Sequence, residues 1–530
     1  MKKIMSLSNI KLFFKNKLVL SGVSGLLILI FCYHNDTIYS FILDKEYRII
    51  RVLNILGRNT DIIGGVKKIT SPLDDNDVIE LKIKKKQFKK LKSGIHLQPR
   101  VKKWAKASIK VNNEFVNVKV KFHGTQNTHY NNNKYSYTIK KTGEELLING
   151  WSNLKLIKGG EVNPAIISIN KLANELGLIS SYGSMKMLKI NGENKGYYYL
   201  EEQLKEKLIE KKYGMQDVSI LRNTSNWTRK EGFGYHMTDL DFNPGHIREK
   251  SSKSFPKALA RFKKLGEVLE SNNREGIIEF FDPDYMGKFL AMAALFNEVH
   301  FMTGDNLKLV FDNKSGKFFP VFRAEYVGRV INKEVNYPIV IMNFDKFLFD
   351  GIDKTYSNSK TSKLFKTLLS NDKVFQKRNL TLFNFIKTRE SITKKIEDVY
   401  EKANSIYIHS STSRRAYHML KIHQLNILNT ILDKATEYLS YAHIYGTFNK
   451  NTNLTSITAD VFSPVQFYYG DSLLINKDWN GIKLNPNLTL SYNQFEFGQS
   501  GFNLDELTVI NLYTGDTIKE HNINIVSIGD

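Results

Sequence analysis

Residues Leu18–Tyr33, LVLSGVSGLLILIFCY, carry no charge and follow Lys2, Lys3, Lys11, Lys15 and Lys17. The run is at the short end for a membrane-spanning helix, but flanking lysines extend the reach of such a segment by laying their stems along it. Tyr33-His34-Asn35-Asp36 is bulky and polar, so no small-x-small cleavage site follows and the pattern reads as a retained signal anchor. Lysines ahead of the run place the N-terminus in the cytoplasm and the rest of the chain outside. The expected localisation is the cell membrane, single-pass, with 1–17 a basic tail, 18–33 the transmembrane anchor and 34–72 a membrane-proximal connector.

That topology changes what the charge means. Lys and Arg exceed Asp and Glu by 24 over 530 residues, which in a soluble protein would suggest nucleic acid. Behind an anchor the nearer targets are lipid headgroups, anionic envelope polymers or nucleotide phosphates, and no nucleic acid is expected. The hydrophobic fraction of 42% supports packed cores rather than disorder, and the length calls for two folded units. The single cysteine, Cys32, lies in the apolar run, which excludes an internal disulfide, a cysteine metal cluster and a cysteine nucleophile in the main domain. No HExxH or GxSxG occurs, and His418 and His423, five apart, do not share a helical face.

Trp104 to Gly124 alternates apolar and polar residues on both sides of Asn112-Asn113, predicting a hairpin, and Tyr135 to Ile139 a further strand. The basic stretch Lys82 to Lys92 reads as an exposed face with Ile83, Phe88 and Leu91 turned inward. Ala165 to Leu178 predicts a packed helix, and Met185 to Leu200 a hairpin across Asn191-Gly192. Glu201 to Lys212 predicts a charged helix with Leu204 and Leu208 inward, and further helices are expected over Phe255–Leu269, Pro283–Val299 and Ile422–Tyr441. From about Thr447 short strand-like runs separated by Gly, Asp and Asn predict a small β-sandwich. Between 300 and 325, Asp305 and Asn306 precede the strand Leu307 to Phe311, a turn at Asp312, Asn313 and Gly316 reverses the chain, and Phe318 to Phe322 return toward Glu325. An acid, an amide and a second carboxylate at the ends of a hairpin suit phosphoryl transfer, where they orient the acceptor and hold Mg²⁺. Asp-Asn at a strand start is also an ordinary turn.

Three segments resemble the CotH-type kinase family. Val120 to Lys140, VKFHGTQNTHYNNNKYSYTIK, is similar to the family's His-Trp and Lys-Trp-Ser segment, with His129-Tyr130 and Lys134-Tyr135-Ser136 at those positions. Ile190 to Glu210, INGENKGYYYLEEQLKEKLIE, is similar to its Asn-Gly and Glu-Glu segment, and the hairpin after Asp305 to its Asp-Asn segment. The family's Trp-Asp-x-Asp reads here Phe322-Arg323-Ala324-Glu325, so one acidic group is an Arg.

The resemblance implies an α+β fold: an atypical protein-kinase-like domain over 73–445 after the N-terminal transmembrane helix, with a small C-terminal all-β domain over 446–530. It implies an ATP-dependent phosphotransferase using Mg²⁺ or Mn²⁺, acting on an envelope protein or anionic polymer. Asp305 would orient the acceptor, Asn306 and Glu325 would hold the metal, and Lys134 or Lys140 would reach the phosphates. The motif match makes Glu202, rather than Glu201, the partner of that lysine. Arg323, where the family has a carboxylate, would repel a metal and clamp an anion, so the alternative is a catalytically degenerate envelope-binding protein.

Overall fold

The computed structural model describes residues 73–95, 101–124, 129–130, 134–141, 153–158, 164–181, 183–222, 253–296, 298, 301, 307–324, 360–409, 414–440, 442–452, 454–477, 493–498, 503–518 and 523–528. The expected anchor lies outside them. Among the described residues no helix is long and apolar enough to cross a membrane.

The first body is a barrel. It is built from β1 (Val78–Lys82), α1 (Lys85–Lys92), β2 (Ala105–Val111), β3 (Glu114–Phe122), β4 (Tyr137–Lys140), β5 (Asn153–Lys158), α2 (Pro164–Glu175), β6 (Gly183–Ile190) and β7 (Glu193–Glu202). The strands close in the order β1-β2-β3-β4-β5-β7-β6, the last seam being a parallel pairing of β1 with β6. Alternation decides what goes inside: Leu81, Ile109, Val120, Ile139, Leu154 and Leu200 are all fully buried in the interior. The two hairpins turn where predicted, with Asn112 and Asn113, then Asn191 and Gly192, at positive φ. Asn191 also fixes the closure, since its Oδ1 accepts from Ile83 N at 2.8 Å and its Nδ2 donates to Ile83 O at 3.0 Å. The basic stretch behaves as expected: α1 buries Leu91 and leaves most of its lysines in solvent.

The other face of β5, β6 and β7 joins a second core. Ile157, Met185, Met187 and Tyr199 pack in the same cluster as α2, α4 (Phe255–Glu270) and α5 (Pro283–Leu295). Beyond α3 (Glu206–Tyr213), a three-stranded sheet orders as β10 (Lys317–Pro320), β9 (Lys308–Asp312) and β8 (Ser219–Arg222). Helices α6 (Lys360–Leu369), α7 (Asp372–Lys387), α8 (Arg389–His409) and α9 (Arg414–Ser440) complete this body.

The expected helix from Glu201 begins later. β7 runs on through Glu202, and α3 starts at Glu206 with Ile209, not Leu204 or Leu208, as its buried residue. Pairing with β5 wins over local helix preference, because Leu154↔Glu202 and Lys155↔Glu201 extend the barrel ladder.

After α9 come β11 (Ala442–Asn449), β12 (Leu454–Val461), β13 (Val465–Tyr469), β14 (Ser472–Lys477), β15 (Asn493–Gly498), β16 (Leu507–Asn511) and β17 (Ile523–Ile528). They form sheets ordered β15-β12-β11-β17 and β14-β13-β16. Val465, Phe467, Leu507 and Val509 belong to the same apolar cluster as the helices. Polar ties reinforce the junction: Ser463 Oγ and Asn511 Nδ2 both donate to Leu439 O, at 2.6 and 2.7 Å.

Candidate functional site: a buried cationic cluster beside the barrel

Strand alternation that fills the barrel with Leu154, Leu156, Tyr198 and Leu200 turns Lys155 and Glu201 outward, toward the second body. The two are direct cross-strand partners, and Lys155 Nζ donates to Glu201 Oε1 at 2.5 Å. Both are buried, at 9% and 3% exposure, so this is a desolvated ion pair rather than a surface contact. On the next strand Gly183 stands opposite Glu201, and a Cβ there would lie 1.7 Å from Leu200 O. Only glycine lets β6 approach β7 this closely.

The second body brings further cations to the pair. Arg323 is held between two backbone anchors, with Phe322 N donating to Ile179 O at 2.8 Å and Ala324 N to Asn170 Oδ1 at 2.9 Å. Lys308 opens β9 directly opposite Arg222 on β8, and its carbonyl accepts from Val321 N at 2.9 Å. Burial opposes ionisation of Glu201, but Lys155, Arg323 and Lys308 offset it and hold the carboxyl below its usual range. Lys308 responds in the opposite way. Burial, then the fields of Lys155, Arg323 and Arg222, pull its pKa down to about 7, against the pull of Glu201.

Two imidazoles lie beside the cluster. Thr138, cross-strand neighbour of Lys155, has its Oγ1 3.1 Å from His123 Nδ1. His129 Nδ1 lies 3.0 Å from Ser136 Oγ, which accepts from Lys158 N at 3.0 Å. Burial, followed by Lys155, His129, Arg323 and Lys102, holds His123 far below the usual imidazole range, so it is neutral.

The structure thus assembles a different ion pair from the expected one. Lys134 is exposed, and Lys140 lies over the Trp104 ring at 4.7 Å. Glu202 has the opposite strand parity to Glu201 and is coupled to Lys212; burial raises its carboxyl to about 7 against the pull of that lysine. The charge of Arg323 contributes to lowering the Glu201 carboxyl. Asp305, Asn306 and Glu325 lie outside the described residues. Among the described residues no group of three potential metal ligands occurs. Sequence reasoning missed Lys155, Lys308 and Arg222. Lys155 had one usable signal: it sits between Leu154 and Leu156 in NLKLIK, a charge flanked by two leucines of the opposite strand face.

Chemically, several cations around one engaged carboxylate carry a surplus of positive charge that suits a multiply charged anion. Glu201 fixes the lysine head, and Lys308 and Arg323 supply charge from the facing body.

No family profile matches this chain, and no curated protein does. Among solved structures the chain is similar to a crystal structure of the Golgi casein kinase, at 11% identity over 74% of this chain and 76% of that one. The TM-score is 0.24, at which the likeness carries no argument about fold or activity.

Proposed function

We propose that this chain binds the phosphates of a nucleotide at the Lys155–Glu201 cluster and is a phosphotransferase of the CotH type, anchored in the membrane and acting on an envelope protein or anionic polymer. The observation that carries the proposal is the buried Lys155–Glu201 pair with Lys308 and Arg323 around it. A lysine held by a buried glutamate is how kinases fix a point charge against nucleotide phosphates. The described residues fit ATP in charge: Lys155 would take the phosphates on one side, and Lys308 and Arg323 on the other. Glu201 is the carboxylate that orients Lys155, so a divalent ion is assigned to Asn306 and Glu325 by the motif resemblance. There it would neutralise charge on the transferred phosphoryl group, with Asp305 orienting the acceptor oxygen. Burial of Lys155 and Glu201 strengthens their electrostatic interactions.

Arg323 favours a second reading. It reinforces the field on Glu201 from a position where the family carries a carboxylate, which suits an anion receptor that needs no metal. Calorimetry of the full-length protein separates the two. ATP binding that requires Mg²⁺ or Mn²⁺ supports the phosphotransferase. Metal-independent binding of inorganic triphosphate with no preference for ATP supports the receptor.

A further inference from the structure

The outer face of the barrel carries a lysine array that the Lys155–Glu201 cluster does not account for. β2, β3 and β4 pair so that Lys106 stands directly opposite Lys119, and Lys119 directly opposite Lys140. One row along, Lys121 stands opposite Thr138, which stands opposite Lys155. Adjacent strands are about 4.7–4.9 Å apart, and like charges directly opposite one another destabilise a sheet. The outward positions on β2 to β4 instead hold Lys106, Ser108, Lys110, Phe115, Asn117, Lys119, Lys121, Thr138 and Lys140, without a carboxylate. Trp104 organises two of these heads, with Lys121 and Lys140 each 4.7 Å from its ring centroid. Exposure falls steadily along the array: Lys106 and Lys119 are exposed, Lys121 and Lys140 half-buried, Thr138 and Lys155 buried. The array therefore runs from solvent to the buried Lys155–Glu201 pair.

We propose that this face is a docking track for a linear polymer bearing repeated phosphate charges, whose end is delivered to the Lys155–Glu201 cluster. The clause about delivery rests on the proposed function; binding to the track does not. One feature favours a phosphate polymer over an acidic polypeptide. The barrel is closed through β1 and β6, so it offers a peptide no free edge for strand addition.

The test measures binding of labelled long-chain inorganic polyphosphate to the full-length protein without nucleotide, by anisotropy over a range of salt. Lys106→Gln/Lys119→Gln/Lys140→Gln is compared with Lys85→Gln/Lys86→Gln/Lys89→Gln, which removes the same charge from α1. The track variant should weaken binding at least tenfold and lower the salt slope by roughly two to three, about one per lysine contact, while the α1 variant changes affinity less than about twofold. The track variant should also melt no lower than wild type, because it relieves like-charge pairing. Equal losses in both variants would show diffuse charge attraction and overturn the track. Polyglutamate competing as well as polyphosphate at equal charge would overturn the assigned partner. Failure of ATP to bind while polyphosphate binding behaves as described would sink the proposed function and leave the track standing.

Discussion

Lys155 and Glu201 are direct cross-strand partners on the outer face of the barrel, with Nζ and Oε1 2.5 Å apart and both side chains buried. Removing Glu201 leaves Lys155 buried beside Lys308 and Arg323 with no carboxylate to offset them. Glu201→Leu should therefore lower stability by about 3–5 kcal/mol, read by urea unfolding. A loss below about 1 kcal/mol would mean that the pair is solvated.

Glu202 gives a pH signature of its own. Its folded pKa of about 7 lies above the usual 4.5 because burial opposes its charge. Between these values the unfolded chain has released a proton that the folded chain retains, so stability falls as pH rises through the window. Glu202→Gln, which mimics the protonated acid, should raise the melting temperature at pH 8 and leave it nearly unchanged at pH 4.5. An equal effect at both pH values would place the cause in packing.

Lys308 has the opposite sign. Its pKa of about 7 lies below the usual 10.5, so the folded state is penalised fully below pH 7 and the penalty is relieved as pH rises toward 10. A bound polyanion favours the ammonium. Binding of inorganic triphosphate at pH 8 should take up about one proton, seen as a dependence of calorimetric enthalpy on buffer ionisation enthalpy. At pH 5.5 the dependence should shrink, and Lys308→Met should remove it at pH 8. Proton uptake that persists in that variant would assign it to another group.

Much of the fold was legible. The Asn112-Asn113 and Asn191-Gly192 hairpins follow from period-two alternation around residues that tolerate positive φ, and α2 from its apolar spacing. Closure of the barrel was not legible, because parallel pairing of β1 with β6 joins Val78–Leu81 to Met187–Ile190 across more than a hundred residues with no local signature. The site was half legible for a related reason. Local sequence places Glu201 and Glu202 equally well, and only the register of β5 against β7 decides that Glu201 meets a lysine. Arg323 stood out as a departure from a motif, whereas Lys308 looked like an ordinary strand-start lysine until β8 and β9 were placed together.

If the motif resemblance assigns the acceptor-orienting acid correctly, Asp305→Ala should cut phosphoryl transfer from γ-labelled ATP by roughly a hundredfold or more while leaving ATP affinity within about threefold. Unchanged transfer would remove Asp305 from the chemistry.

The most direct test of the central claim replaces the buried ion pair with apolar residues. Lys155→Met/Glu201→Leu removes both charges together, so its stability should return to within about 1–2 kcal/mol of wild type. Titrated with ATP and Mg²⁺ by calorimetry, this folded double variant should show no measurable binding where the wild-type protein does. Wild-type affinity in the double variant would contradict the assignment of the Lys155–Glu201 cluster as the phosphate site.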